Sequence, residues 1–144
     1  MDDDDLLQLY NRELMALSAQ VSAPKSLPHP DAKATAVSTV CGSEVTIELS
    51  LTGDKVNAFG YAVEACSLTK AVVAIMARVV PGKSRQEISA AAMALQSMMA
   101  GTTPPPAGEW AELKVLVPVI EYKARHDTIM LPFEAIEKAF SEIK

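Results

Sequence analysis

Cysteine is nearly absent: the 144-residue chain carries two, Cys41 and Cys66, too few for the disulfide framework of a small secreted fold. In a reducing compartment such a pair is more often buried, catalytic or metal-bound than bridged. A surplus of positive charge is also missing. The net charge is -5, with an acidic run at residues 2–5, so there is no global basic field for a phosphate backbone, and nucleic acid is not an expected partner. No apolar run is long enough for a bilayer. The most apolar stretch, 68–80, falls short of the roughly 20 residues a spanning helix needs, and Lys70 and Arg78 interrupt it; no membrane association is expected. The chain opens without a charged-then-apolar leader, which points to the cytoplasm. What is present, 49% hydrophobic and 22% charged residues, suits one domain over residues 1–144 with one core.

The hydrophobic pattern predicts the elements. Behind the acidic run, Leu6, Tyr10, Leu14 and Leu17 recur at helical spacing, and aspartates suit the positive end of a helix. The helix ends before Pro24, and Pro28 and Pro30 keep the next segment out of a regular ladder. The period then changes to two. Val45, Ile47, Leu49 and Leu51 alternate with polar residues, the signature of a strand with one wet face. A weaker strand over 34–40 precedes it; Gly53-Asp54 turns the chain into a third over 55–65, with a bulge expected near Asn57 and Ala58, where the apolar phase switches. Leu68, Ala71, Val72, Ile75, Met76 and Val79 trace a helical stripe, and Val73, Ala74 and Val80 make the other side apolar, so this helix is central. Pro81-Gly82 stops it. Ser84 and Glu87 form a capping box for another helix, through Ile88, Ala91, Leu95 and Met98 to Gly101. The methionines that cluster there read as core packing rather than a metal-binding box. After a stiff connector at 104–106, Trp110, Leu113 and Leu116 suggest a short helix. Ile129, Phe133, Ile136, Phe140 and Ile143 predict a final one, with Pro132 tolerable only if it starts close to Thr128. The expected fold class is α+β: a small three-stranded antiparallel sheet with helices mainly on one face, an N-terminal helix and C-terminal helices.

Three segments could carry chemistry. Cys41 falls between the first two strands, beside Gly42, which allows a sharp turn. Cys66 falls where the third strand enters the central helix, where unpaired N–H groups favour thiolate, the form that binds metal or attacks sulfur. A later helix start carries His126, Asp127 and Thr128. The expectation is that all three converge at one end of the sheet. A lone loop histidine is more often solvated than ligating, and a thiol enzyme using Cys66 with His126 as base lacks an evident oxyanion motif or orienting third residue.

The runs Val40-Cys41-Gly42-Ser43 and Phe59-Gly60-Tyr61-Ala62-Val63-Glu64-Ala65-Cys66-Ser67-Leu68-Thr69-Lys70-Ala71, with the stretch 125–138, resemble the NifU/IscU/SufU family of iron–sulfur cluster scaffolds over most of the chain. The run 119–138 is most similar to the SufU branch, with Arg125 in register and Leu131, Ala135, Glu137 and Lys138 in similar places. The resemblance implies a scaffold or carrier that receives iron and sulfur, holds a labile cluster and passes it on, not an enzyme. Its implied partners are a cysteine desulfurase or other sulfur donor and apo recipient proteins. Cys41 and Cys66 match the family's first two cysteines. Ser43 stands where the family has a metal-binding aspartate, Ala65 replaces a glycine, and Thr128 takes the third cysteine's place. Clusters generally use four protein ligands, so the two thiols need help: His126 and Asp127 are the local candidates, and a homodimer contributing two pairs is another. Zinc held by Cys41, Cys66 and His126 is the alternative to iron. A further alternative is a ligand-depleted module that docks on assembly partners.

Overall fold

The computed structural model describes residues 3–39 and 42–143. In chain order its elements are α1 (Asp3–Ala19), β1 (Ala32–Val37), β2 (Glu44–Thr52), β3 (Lys55–Glu64), α2 (Ser67–Val79), α3 (Arg85–Met99), two 3-10 segments (Gly108–Val119 and Lys123–Arg125) and α4 (His126–Ser141). The fold is α+β, with one antiparallel sheet ordered β1-β2-β3. Among the described residues, no helix is long and apolar enough to cross a membrane.

The alternation in β2 sets the sheet's two faces. Val45, Ile47 and Leu49 are fully buried, opposite Ala36, Ala34 and Ala32 on β1 and Val63, Tyr61 and Phe59 on β3. Alanines on β1 leave room for α4, which packs across β1 and β2, while α2 meets β3. On the other face the hydroxyls of Thr35 and Thr46 pair across the strands at 2.7 Å, a polar cross-strand contact suited to a wet surface. The expected bulge is present: Ser50 faces Ala58 but Leu51 faces Val56, so Asn57 is the extra residue, and Val56 and Phe59 share the buried face. β1 begins earlier and ends sooner than its apolar pattern suggested, because the chain beyond Val37 closes a loop instead of continuing the ladder.

The connector after α1 lies along β3. Lys25 and Tyr61 exchange both backbone hydrogen bonds, at 2.9 and 2.8 Å. Gly60 is buried beneath it, and a Cβ there would stand 2.7 Å from the Lys25 carbonyl oxygen. Glycine is the one residue that lets the two backbones come this close.

The middle of α2 is buried on every side. Ala71 through Met76 are inaccessible or nearly so, and the helix touches α1, α4, β3 and the longer 3-10 segment, as a stripe apolar all round requires. α1 covers it with Leu14 and Leu17; Leu6 and Tyr10 lie outside the residues whose side chains are described. Both halves of the Ser84–Glu87 capping box open α3, and Met76, Met98 and Met99 sit in the core. The segment expected to be a short helix is a twelve-residue 3-10 segment. Trp110, Leu113, Leu116 and Val119 recur every third residue, which is the 3-10 repeat; the last three are buried, and Trp110 packs on Phe133 of α4 at 5.7 Å between centroids.

Candidate functional site

Strand register gathers the segments singled out from the sequence. Val37, the last residue of β1, pairs with Glu44, the first of β2, and Glu44 pairs with Glu64, the last of β3. The β1–β2 connection and the step from β3 into α2 therefore leave the same end of the sheet. In that connection the Ser38 N–H donates to the Ser43 carbonyl at 2.8 Å, and the Gly42 N–H donates to the Ser38 carbonyl at 2.9 Å. Gly42 has φ +73°, the left-handed conformation a tight turn asks of glycine. Ser38 and Ser43 are buried. Cys41 lies outside the described residues; its flanking backbone places the connection but not its sulfur.

Cys66 is the N-cap of α2, with φ -72° and ψ 171°, and its carbonyl accepts the Lys70 N–H at 3.1 Å. Its half-buried side chain makes no cap bond to the backbone. Instead Sγ lies 3.7 Å from the Thr69 hydroxyl. Thr69 is fully buried and donates to the Thr128 carbonyl at 3.1 Å. That carbonyl needs a side-chain donor because Pro132, four residues on inside α4, has no N–H to give it. The starts of α2 and α4 are thus joined by Thr69, whose hydroxyl meets both the Cys66 sulfur and the Thr128 carbonyl. Thr128 itself is buried at 3% exposure, so it belongs to the seam between the helices and not to the surface.

His126 is the first residue of α4 and is half-buried. Its Nε2 lies 2.9 Å from the Ile120 carbonyl. A carbonyl can only accept, so Nε2 carries the hydrogen, and the lone pair of the neutral ring is on Nδ1. Asp127 is exposed and lines a cleft of about 240 Å³ with Val37, Ser38, Thr39, Leu131 and Glu134. The first turn of α4 therefore meets the β1–β2 connection through Asp127 and the start of α2 through Thr128. His126 is held toward Ile120. Among the described residues no three of His, Cys, Asp and Glu form a group that could hold a metal ion, so Cys66, His126 and Asp127 are neighbours along the site without forming one ligand set. Two larger clefts, of about 360 and 390 Å³, are lined by neither cysteine nor histidine.

Thr69 is the site residue that reading the sequence for ligands missed. A signal existed: a proline inside an apolar helical stripe leaves the carbonyl four residues earlier in want of a donor. Which residue supplies it is a tertiary matter.

No protein-family model matches the chain, and comparison with curated proteins gives no significant match. Solved structures do match. The chain is 35% identical to the N-terminal NifU-like nitrogen-fixation protein of Brucella abortus, covering 96% of each chain with a TM-score of 0.88. It shares the fold of a structure described as a candidate iron–sulfur cluster assembly scaffold for the SUF system of Fervidobacterium islandicum AW-1, at 21% identity, 92% and 96% coverage and a TM-score of 0.82.

Proposed function

The chain belongs to the family of NifU-like N-terminal proteins, and from that premise we propose that it is a single-domain scaffold or carrier that takes iron and sulfur as cargo and hands them to recipient proteins. It binds and transfers without turning over a substrate. Its partners on this reading are a sulfur donor, such as a cysteine desulfurase, and apo iron–sulfur proteins, and its setting is the reducing cytoplasm. The observation that carries the reading is the position of Cys66, at the N-cap of α2 and against the start of α4, in a chain that matches a member of this family along almost its whole length.

Cys66 is the thiol that ligates iron or accepts sulfur, and Cys41 is its partner from the β1–β2 connection. Two thiols from one chain do not close a four-ligand shell. Nδ1 of His126, or in its stead a carboxylate oxygen of Asp127, is the chain's own further ligand beside Cys41 and Cys66, and a second copy of the chain supplying another pair of thiols is the other route. The His126 hydrogen bond to Ile120 supports the first route, because a ligating histidine commonly donates its other ring N–H to a carbonyl or carboxylate. Zinc held by Cys41, Cys66 and His126 with an external fourth ligand fits the same donors. Thiol ligands give up protons when they bind, so cargo should be released as pH falls.

A second reading is favoured by one observation. By the family resemblance Thr128 takes the third cysteine's place, and its side chain is buried between the helices. This suits a module that keeps the family's fold to dock on assembly partners. Iron, acid-labile sulfide and zinc are to be measured on protein purified without oxygen, for wild type, Cys41→Ser and Cys66→Ser, with circular dichroism to verify folding. The scaffold reading expects cargo in wild type and its loss in folded Cys66→Ser. Wild type devoid of iron, sulfide and zinc, yet still binding a desulfurase, establishes the docking reading in its place.

A further inference from the structure

We infer that Thr69 is the positioning residue for the Cys66 sulfur, and that Pro132 is what commits it to that task. The inference rests on the proposed function only in taking Cys66 as the working thiol. Thr69 has one hydroxyl hydrogen and no exposure to water. Because Pro132 supplies no N–H, the Thr128 carbonyl takes that hydrogen, at 3.1 Å. The Thr69 oxygen then turns a lone pair toward Cys66, whose Sγ is 3.7 Å away, and the thiol hydrogen points into that lone pair. Cys66 and Thr69 stand at the N-cap and third positions of α2, where the usual cap is a side chain bonded to backbone; here the pair is bonded side chain to side chain.

The sulfur is therefore registered against a second element. Its anchor is bonded to the backbone of α4, within the first turn that also carries His126 and Asp127. Displacement of that turn reaches the sulfur through two hydrogen bonds. An ordinary residue at 132 would bond the Thr128 carbonyl from within α4, and the tie between the helix starts would be dispensable.

The test is the rate at which iodoacetamide alkylates Cys66 at one fixed pH, in a Cys41→Ser background where it is the sole thiol. Metal and cargo play no part in it, so its outcome is separate from that of the scaffold reading. Thr69→Val removes the hydroxyl at nearly constant shape but takes a hydrogen bond from a buried carbonyl, which endangers folding. Thr69→Val and Thr69→Ser are therefore compared with Pro132 in place and folding verified by circular dichroism, and Pro132→Ala is the second variant. Its restored backbone N–H serves the carbonyl and frees the Thr69 hydrogen to be donated to the sulfur, which should speed alkylation as valine at 69 does. An unchanged rate in folded Pro132→Ala overturns the role given to Pro132. Valine at 69 is expected to speed alkylation by about threefold, the equivalent of one weak hydrogen bond holding the sulfur in place, and serine at 69 to keep the rate within about twofold of threonine's on the same scale. Equal rates for threonine and valine, or a serine rate that follows valine's, would overturn the inference.

Discussion

Placing alanine at Gly60 adds one methyl group against a neighbouring backbone. The new Cβ would stand 2.7 Å from the Lys25 carbonyl oxygen and 3.0 Å from Cγ of Leu27, and the nearer atom is main chain, which cannot swing aside as a side chain can. Either β3 shifts or the connector lifts, and lifting breaks the paired hydrogen bonds between Lys25 and Tyr61. Overpacking of a buried site costs about 1–3 kcal/mol, and each backbone hydrogen bond lost adds about 1 kcal/mol. Alanine lowers the entropy of the unfolded chain and returns about 0.4–1 kcal/mol. The net expectation for Gly60→Ala is a loss of about 2–3 kcal/mol, which at an m-value near 2 kcal/mol/M moves the urea midpoint down by about 1–1.5 M. Ala62, two residues along on the same face, is exposed, so Ala62→Val is the control and should stay within about 0.5 kcal/mol of wild type. Urea titrations followed by circular dichroism measure both. A Gly60→Ala protein as stable as the control would refute the claim that the connector is seated on β3 at this point.

Thr128→Cys puts a third thiol where the proposed family correspondence calls for one; metal analysis of oxygen-free preparations should give a higher iron or zinc content than wild type, and unchanged content in a folded variant counts against this helix start as part of the cargo site. Ser84→Ala removes the side chain that accepts the Glu87 N–H and should cost about 1 kcal/mol in urea unfolding, as other N-cap losses do. The Glu87 carboxyl is held below its usual range, first by the Ser84 backbone N–H and then by Lys55. A lowered folded value means that its contribution is complete above the ordinary glutamate pKa of about 4.3 and disappears as pH falls through the lower folded value. Glu87→Gln should therefore flatten the acid limb of stability against pH without changing its course near neutrality, which thermal unfolding across acidic buffers will measure.

Much of this protein was determined by its sequence alone. Alternation in β2, the phase switch that makes Asn57 the bulge, the Ser84–Glu87 cap and the apolar middle of α2 are local patterns, and each follows from a repeat of 2 or 3.6 residues or from a hydrogen bond spanning three. The spacing of three in Trp110, Leu113, Leu116 and Val119 was equally open to view, though it announced a 3-10 segment and not an α-helix. Cys66 at a helix start followed from the same reasoning, whereas the meeting of the chemical segments at one sheet end was an expectation that strand register and the packing of α4 decided for their described residues. Tertiary structure alone decided the contacts between elements far apart in the chain: the Lys25 backbone over Gly60, the His126 ring turned to Ile120, and Thr69 of α2 supplying the hydrogen that Pro132 denies to Thr128. A residue's type states how many hydrogen bonds it must make. Only the packing of one element on another states with whom, because distant partners compete on equal terms until the core has set their distances.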